Sequence, residues 1–449
     1  MRVLVLVFVL LSAFLAPVAA TAQDAAALRR EIEQLQKQLQ SVTERLQRLE
    51  AQPQPPAPAQ VPPVAAPAPA AAPGLSAIDL ARPRQPFGLY QQRGAGQLLF
   101  DIGIAGDFVG NLTQKNVEKA QGGTFAGQEN RFFPREVELS LFGQIDPYAS
   151  AVVRIEAGEE ARGADTGVHL AEAYVTLLTL PFGTQARLGQ VRNRFGYSNE
   201  VHEHDLPWVD RPNVMRNFFG GEGLQEKGIE MTLVPDLPFY IEALAGVFNG
   251  DNETAFGRTS LQAPLVTGRL RTFLELGNEH AVQLGVSVAS GQTPERLPNT
   301  ILGWEGRYKY RPDGWLHPLV TLTTEGLYSW RQFNVDVDAD GDGVTDSLDK
   351  KHKNRWGWYL GGEIQPWRRW AGGLRFDWSQ YPENPGAERS FEPYISFWPS
   401  EFLRFRAAYK RTDRTHRDGF DLNGGSARTV DEFLFQASFI LGAHPAHPF

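Results

Sequence analysis

Two short stretches hold the residues best suited to chemistry. The first is Asp336-Val337-Asp338-Ala339-Asp340-Gly341-Asp342-Gly343-Val344-Thr345-Asp346-Ser347-Leu348-Asp349. Counted from Asp338, carboxylates fall at Asp338, Asp340, Asp342, Asp346 and Asp349, the first, third, fifth, ninth and twelfth places of a loop. Gly343 takes the sixth place, where a calcium loop turns sharply, and Val344 can offer its carbonyl at the seventh. Hard oxygen donors at that spacing point to calcium, held to stiffen a loop rather than to react. Asp349 in place of Glu shortens the reach for bidentate binding, and the plainer alternative is an acidic loop tip without an ion.

The second stretch is His202-Glu203-His204-Asp205. Neutral imidazole beside carboxylate is a borderline ligand set that suits zinc, and on an extended segment His202 and His204 would share a face. A third fixed ligand is not apparent, and a solvent-exposed or structural pair of histidines is the commoner arrangement. His444 and His447 could bind metal separately but are expected at the opposite end of the fold. Arg187, Arg192 and Arg194 precede this stretch, and Asp210, Arg211 and Arg216 follow it, so the segment 196–225 is densely charged.

Composition removes several functions. The chain of 449 residues has no cysteine, which excludes a disulfide scaffold, a thiolate metal site and a cysteine nucleophile. Its net charge of −8 offers no basic footprint for nucleic acid. There is no Gly-x-Ser-x-Gly elbow and no phosphate-cradling glycine signature, and scattered acid pairs alone nominate no glycosidase, so an enzyme is not expected.

The elements that must position these residues are legible in order. Residues 1–22 read as an export signal: Arg2 precedes the apolar run Val3 to Leu15, and Ala20-Thr21-Ala22 supplies small residues for cleavage. Within 23–50, Leu28, Ile32, Leu35, Leu39, Val42, Leu46 and Leu49 form a heptad seam that predicts a self-associating helix, with a trimer as the natural state. Residues 51–96 are a Pro/Ala-rich linker and lead-in, extended over the proline-rich part.

From residue 97 to 449 the pattern is that of strands, apolar and polar residues alternating over runs too long for a soluble sandwich. Sixteen strands are predicted near 97–109, 132–145, 148–158, 168–179, 184–195, 226–234, 238–248, 264–276, 280–290, 300–311, 316–331, 354–365, 370–380, 389–398, 401–412 and 430–441. Short links at Asp146-Pro147, Pro181 to Gly183, Pro235 to Leu237, Gly277 to Glu279, Arg311 to Gly314, Pro366 to Arg369 and Pro399-Ser400 alternate with longer ones, including 110–131 and 332–353. That alternation, and the tryptophans and tyrosines near strand ends (Trp304, Trp330, Trp356, Trp367, Trp370 and others), predict an all-β, 16-stranded antiparallel transmembrane β-barrel. Alternation turns Glu136, Glu138, Arg154, Glu156, Glu172, Glu230, Glu242, Arg269, Arg271, Arg375, Asp377, Glu392, Arg404 and Arg406 inward. The longest link, 196–225, is then a candidate to fold inward and narrow a pore, with Arg187, Arg192, Arg194, His202, Glu203, His204, Asp205, Asp210, Arg211 and Arg216 as lining and constriction residues.

Leader, short coiled coil, Pro/Ala spacer and barrel together resemble the outer-membrane porins of Gram-negative bacteria, the phosphate-selective porin O/P-like group in particular. More narrowly, His202 to Pro212, Asn217 to Leu224 and the tail Gly442-Ala443-His444-Pro445-Ala446-His447-Pro448-Phe449 resemble a family described as zinc-regulated outer-membrane receptors or porins. The resemblance implies a bacterial outer-membrane location, contact with lipid, a homotrimer and passive diffusion of small solutes or ions. The helix at 23–50 would stand in the periplasm, where it could reach peptidoglycan or a periplasmic partner. A TonB-dependent transporter has a larger barrel and a plug domain, for which this chain is too short. The alternatives are a gated metal-uptake receptor and an envelope tether anchored by the barrel.

Overall fold

Strand text with charge on one face and apolar residues on the other must hide one face, and here the hidden face is the charged one. In the computed structural model, which describes residues 100–159, 167–337, 347–415 and 428–442, Glu136, Glu138 and Ser140 are buried while Val137, Leu139 and Leu141 between them are partly exposed. The C-terminal strand repeats the inversion: Phe433 and Phe435 are 56% and 46% exposed, whereas Glu432 and Gln436 are buried.

Among the described residues sixteen strands run antiparallel, each paired to its neighbours in sequence, and the last pairs with the first to close a barrel. They are β1 (Phe100–Thr113), β2 (Arg131–Asp146), β3 (Ala149–Gly158), β4 (Gly167–Leu177), β5 (Thr184–Arg192), β6 (Gln225–Leu233), β7 (Tyr240–Phe248) and β8 (Leu265–Leu276). The second half comprises β9 (His280–Gln292), β10 (Pro298–Tyr310), β11 (Leu319–Val337), β12 (Ser347–Trp367), β13 (Trp370–Gln380), β14 (Ala387–Ser400), β15 (Leu403–Thr415) and β16 (Thr429–Gly442). Two short helices, α1 (Lys115–Ala120) and α2 (Asn213–Phe219), lie in the links at one end. All of this belongs to the unit Gly74–Phe449. The expected leader, coiled coil and linker lie outside the described residues, as does the tail beyond Gly442.

Closure leaves no sheet edge, which satisfies every ladder group without water. The aromatic expectation agrees with the exterior: Trp304, Trp330, Trp356, Trp367 and Trp370 are 43–68% exposed. Trp356 and Trp367 on β12 are about 36 Å apart along the strand at roughly 3.3 Å per residue. A strand tilt of about 45° turns that into a height of about 25 Å, the thickness of an apolar band.

Two expectations about the links need correction. Alternation of short and long is looser than predicted, because β9–β10 and β13–β14 continue their pairing and leave only 293–297 and 381–386 between them, no longer than the link 311–318 at the other end. The first of these is closed by Thr293 N donating to the Leu297 carbonyl at 2.9 Å. The link 332–353 is mostly ladder: β11 and β12 stay paired from Gln332 opposite His352 to Val337 opposite Ser347. Asp338, Asp340, Asp342, Val344 and Asp346 of the calcium motif lie outside the described residues, while Asp349 sits on β12 opposite Val335.

Candidate functional site

The segment between β5 and β6 does fold inward, and it is seated residue by residue on the wall. Its base closes where Asn193 N donates to the Leu224 carbonyl at 3.0 Å. The Asn199 side chain clips both ends together, donating to the Asn193 and Leu224 carbonyls and accepting from Leu224 N at 2.7 Å. Gly223, at φ +75°, is needed there, because any Cβ would collide with the Asn199 side chain.

From this base the chain visits most of the circumference. Tyr197 N and Ser198 N donate to the two oxygens of Glu325 on β11 at 2.5 and 3.0 Å. A 3-10 turn, Glu203–Asp205, then brings the histidines against β2–β4. His202 Nδ1 lies 3.0 Å from Glu138 Oε2 and Nε2 lies 3.2 Å from Glu172 Oε2. His204 is held by Glu136 at 3.2 Å and by its neighbour Asp205 at 3.1 Å. The two rings remain adjacent, 5.8 Å between centroids, although the backbone is a turn rather than the expected extended segment.

On β15, separated from β2 by β1 and β16, Arg404 and Arg406 grip the loop backbone. Arg404 donates to the His204 carbonyl, and Arg406 donates to the Leu206 and Trp208 carbonyls at 3.1 and 2.8 Å. Trp208 is buried edge-on against Tyr359 and rests on Gly361, where a Cβ would run into the indole. Asp210 then meets Arg375 at 2.7 Å and Lys410 at 2.5 Å, both cations fully buried. Helix α2 follows, with Val214, Met215, Phe218 and Phe219 buried in an apolar cluster that includes Phe195, Phe248, Phe256 and Leu265.

The electrostatics of the loop follow from this seating. Burial works against the Asp210 carboxylate, yet Arg375 and Lys410 hold it well below the ordinary carboxylate range. Burial and Arg154 both oppose a charge on His202, but Glu138 and Glu156 outweigh them and push its imidazole up to about 10. Burial likewise opposes a charge on His204, and Asp205 and Glu136 raise it nonetheless.

The remaining constriction candidates are all engaged. Arg187 and Arg194 share Glu230, each at 2.6 Å. Arg192 donates to the Glu222 carbonyl at 2.5 Å. Arg211 is turned back into its own loop, donating to the Ser198 carbonyl at 2.6 Å with Glu203 at 3.4 Å. Arg216 lies 3.4 Å from Glu388. The fourteen residues assigned inward by alternation all contact the interior or are buried there. Sequence reasoning missed Glu305 on β10, where Ile301 and Gly303 interrupt the polar pattern of the inward face and Gly303 is where Phe195 packs, and Glu325 on β11, where buried Leu327 interrupts it. It also missed Lys410 and His169.

Toward the end that carries the short turns, the loop leaves a cavity of about 220 Å³. Tyr197, Asp205, Trp208, Arg307, Lys309, Glu363, Tyr394, Arg404 and Arg406 line it. The cavity can therefore present both signs of charge to a small polar solute, Asp205 and Glu363 against Arg307, Lys309, Arg404 and Arg406.

No family model matches the chain. It is 28% identical over 346 residues to an uncharacterized protein of Aquifex aeolicus (strain VF5), covering 70% of this chain and 69% of that one. Among solved structures it is similar to an anion-selective porin from Comamonas acidovorans, at 11% identity and a TM-score of 0.49 over 77% of this chain and 99% of that one. It is also similar to the outer membrane channel DcaP of Acinetobacter baumannii, at 12% identity and a TM-score of 0.48 over 76% and 96% of the two chains. OprB of Pseudomonas putida matches at 10% identity and a TM-score of 0.48 over 76% and 93%.

Proposed function

We propose that the chain is a channel of the bacterial outer membrane through which small hydrophilic solutes or ions diffuse passively, narrowed by the segment 193–224. The observation that carries this is the inverted barrel: apolar and aromatic outside over about 25 Å of height, charged inside, and crossed by a loop pinned to its walls. A soluble barrel would expose its charges and bury its phenylalanines. The finer reading, a channel for anions such as phosphate, is supported by Arg307, Lys309, Arg404 and Arg406 around the interior cavity, against which Asp205 and Glu363 count. Calcium at Asp338 to Asp349 would rigidify the tip of the β11–β12 hairpin, a reading that rests on sequence spacing. Self-association through the heptad seam at 23–50, in the periplasm and in contact with peptidoglycan or a partner, rests on the seam itself, and its being a homotrimer rests on the porin resemblance.

The test is conductance of the purified protein in planar bilayers under a salt gradient. Stepwise openings are expected, in groups of three for a trimer, with a reversal potential that gives the sign of the favoured ion, and zinc or phosphate block would point to the solute. A second reading, a gated receptor, is favoured by one observation: Trp208, Phe218 and Phe219 pack an apolar cluster inside the barrel, where an open pore would hold water. Silence from correctly inserted protein, relieved by loosening the loop, is the outcome that reading expects.

A further inference from the structure

The pairing of β2, β3 and β4 puts Glu138 opposite Glu156 and Glu156 opposite His169, in one row across three strands. Like charges directly opposite one another destabilise a ladder unless something lies between them. Into this row the loop inserts His202. Its Nδ1 lies 3.0 Å from Glu138 Oε2 and 3.7 Å from Glu156 Oε1. All three residues are more than nine-tenths buried, yet none of these three atoms makes a hydrogen bond. Buried polar atoms are almost always satisfied, and three that converge without the alignment of donor and acceptor have the geometry of ligands around a common point.

We propose that Glu138, Glu156 and His202, with Glu136 beside them, bind a divalent cation of zinc-like borderline character inside the barrel, and that His169 and Glu222 receive the ion at the mouth. This deepens the channel reading by naming an ion held by the inward loop, and it rests on the seating of that loop rather than on conduction. One ligand atom from each of Glu136, Glu138, Glu156 and His202 lies within 4.8 Å of the others, and the same holds for Glu156, His169 and Glu222. Glu156 is common to both groups, so an ion can pass from the outer to the inner by exchanging ligands around one carboxylate. The outer pair is open to solvent, His169 47% and Glu222 60% exposed at the side chain.

The surroundings suit such an ion. The far nitrogen of His202, Nε2, lies between Arg154 Nη1 at 2.5 Å and Glu172 Oε2 at 3.2 Å; with its proton directed to Glu172 it takes up the carboxylate–imidazole arrangement that orients a metal-binding histidine. Four glutamates crowd this wall, Glu136, Glu138, Glu156 and Glu172, and Arg154, paired to Glu172 and in contact with Glu138 and His202, is the one guanidinium within ion-pair distance of them among the described residues. Binding replaces the proton on His202 Nδ1, which leaves to solvent, and a doubly charged ion takes the place of a singly charged imidazolium. His204 is excluded from the inner set because its two nitrogens are engaged by Glu136 and Asp205. The ligand set is thus His202 with carboxylates of the wall, not the pair His202 and His204.

The experiment uses the full chain in detergent, stripped with EDTA and equilibrated with zinc chloride, with bound zinc measured by mass spectrometry. His202→Asn and the pair Glu138→Gln/Glu156→Gln should each weaken one zinc equivalent by at least about tenfold. Asp340→Asn/Asp342→Asn and His444→Ala/His447→Ala should retain it. Zinc-edge absorption should give nitrogen and oxygen ligands at about 2.0–2.1 Å. His169→Asn, at an exposed position, should slow zinc uptake with the barrel intact, which keeps the proposal testable should an interior variant fail to fold. Unchanged affinity in folded interior variants, or equal loss in every variant, overturns the site. A silent barrel that binds this zinc removes only the channel reading, and a conducting barrel without it removes only the site.

Discussion

The two seats of the inward loop are built from the same residue types and come out opposite. Around Asp210, three acids (Asp210, Asp377 and Glu392) meet three cations (Arg375, Lys410 and Arg216), all but the last fully or nearly fully buried. Around His202, four glutamates pair directly with one arginine, Arg154, while Arg135 and Arg192 make their ion pairs with Asp107 and Glu222, so imidazoles supply the rest of the close compensation. A buried network that balances itself is a latch, expensive to break and indifferent to what surrounds it. One left short of positive charge invites a proton or a metal ion, and that is where a function can reside.

The sharpest way to break this contrast is Asp210→Asn. It strands Lys410 in the interior and takes from Arg375 one of its three carboxylates, and removing one partner of a buried ion pair costs about 3–5 kcal/mol. Thermal unfolding should fall accordingly, and in bilayers the loosened loop should give larger or noisier openings. The same carboxylate sets a pH expectation. Its acidity is enhanced in the folded state, so its stabilisation is present above the usual carboxylate range and lost only as pH falls through the depressed value. Conductance should therefore hold steady between about pH 7 and pH 4 as far as the Asp210 carboxylate is concerned; a wild-type protein that behaves like Asp210→Asn near pH 4 would refute its part in the latch.

Packing supports the latch from the other side. Gly361→Val forces a branched side chain against Trp208, and overpacking of this kind costs about 1–3 kcal/mol. The loop should be displaced without any change of charge, so reversal potential should stay put while conductance changes. At the second seat the expectation is smaller. In zinc-free protein Glu156→Gln removes a pair with the half-exposed His169 and a long contact of 3.7 Å with His202, which keeps Glu138 at 3.0 Å, but it also removes a cross-strand repulsion, for a net change of about 1 kcal/mol. A loss as large as that at Asp210 would make both seats latches and erase the difference.

These two seats also show where sequence reading stops. Strand number and most boundaries follow from alternation, which is local: β13 at Trp370–Gln380 is the predicted 370–380. The β11–β12 hairpin is underestimated because its acidic tip reads as loop from residue 332, although Gln332 to Val335 still satisfy their backbone across the ladder. His169 escapes because the register slips between Arg154 and Ile155, opposite Glu172 and Leu170. That bulge puts His169 and Glu172, three apart, on the same side, which a strict period of two forbids. The inward course of the loop is fixed by partners as remote in sequence as Arg375, Lys410 and Arg406, and no local pattern announces such pairings. The charged residues of 196–225 were recognisable, their partners were not.

The smallest effect tests whether burial, rather than charge pairing as such, distinguishes the seats. Lys227 and Asp251 form an ion pair at 2.9 Å, as short as several inside the barrel, but the lysine side chain is 56% exposed. Water and salt screen such a pair, whose worth is typically below about 1 kcal/mol. Lys227→Ala should change stability by no more than about 0.5 kcal/mol, vanish as a difference in high salt, and leave conductance alone. Asp210→Asn should keep its effect in the same salt, because its partners are sealed from counterions. If salt erased both, the interior would be wet enough to solvate Arg375 and Lys410, and the loop would be a guest in an aqueous pore instead of part of a packed core.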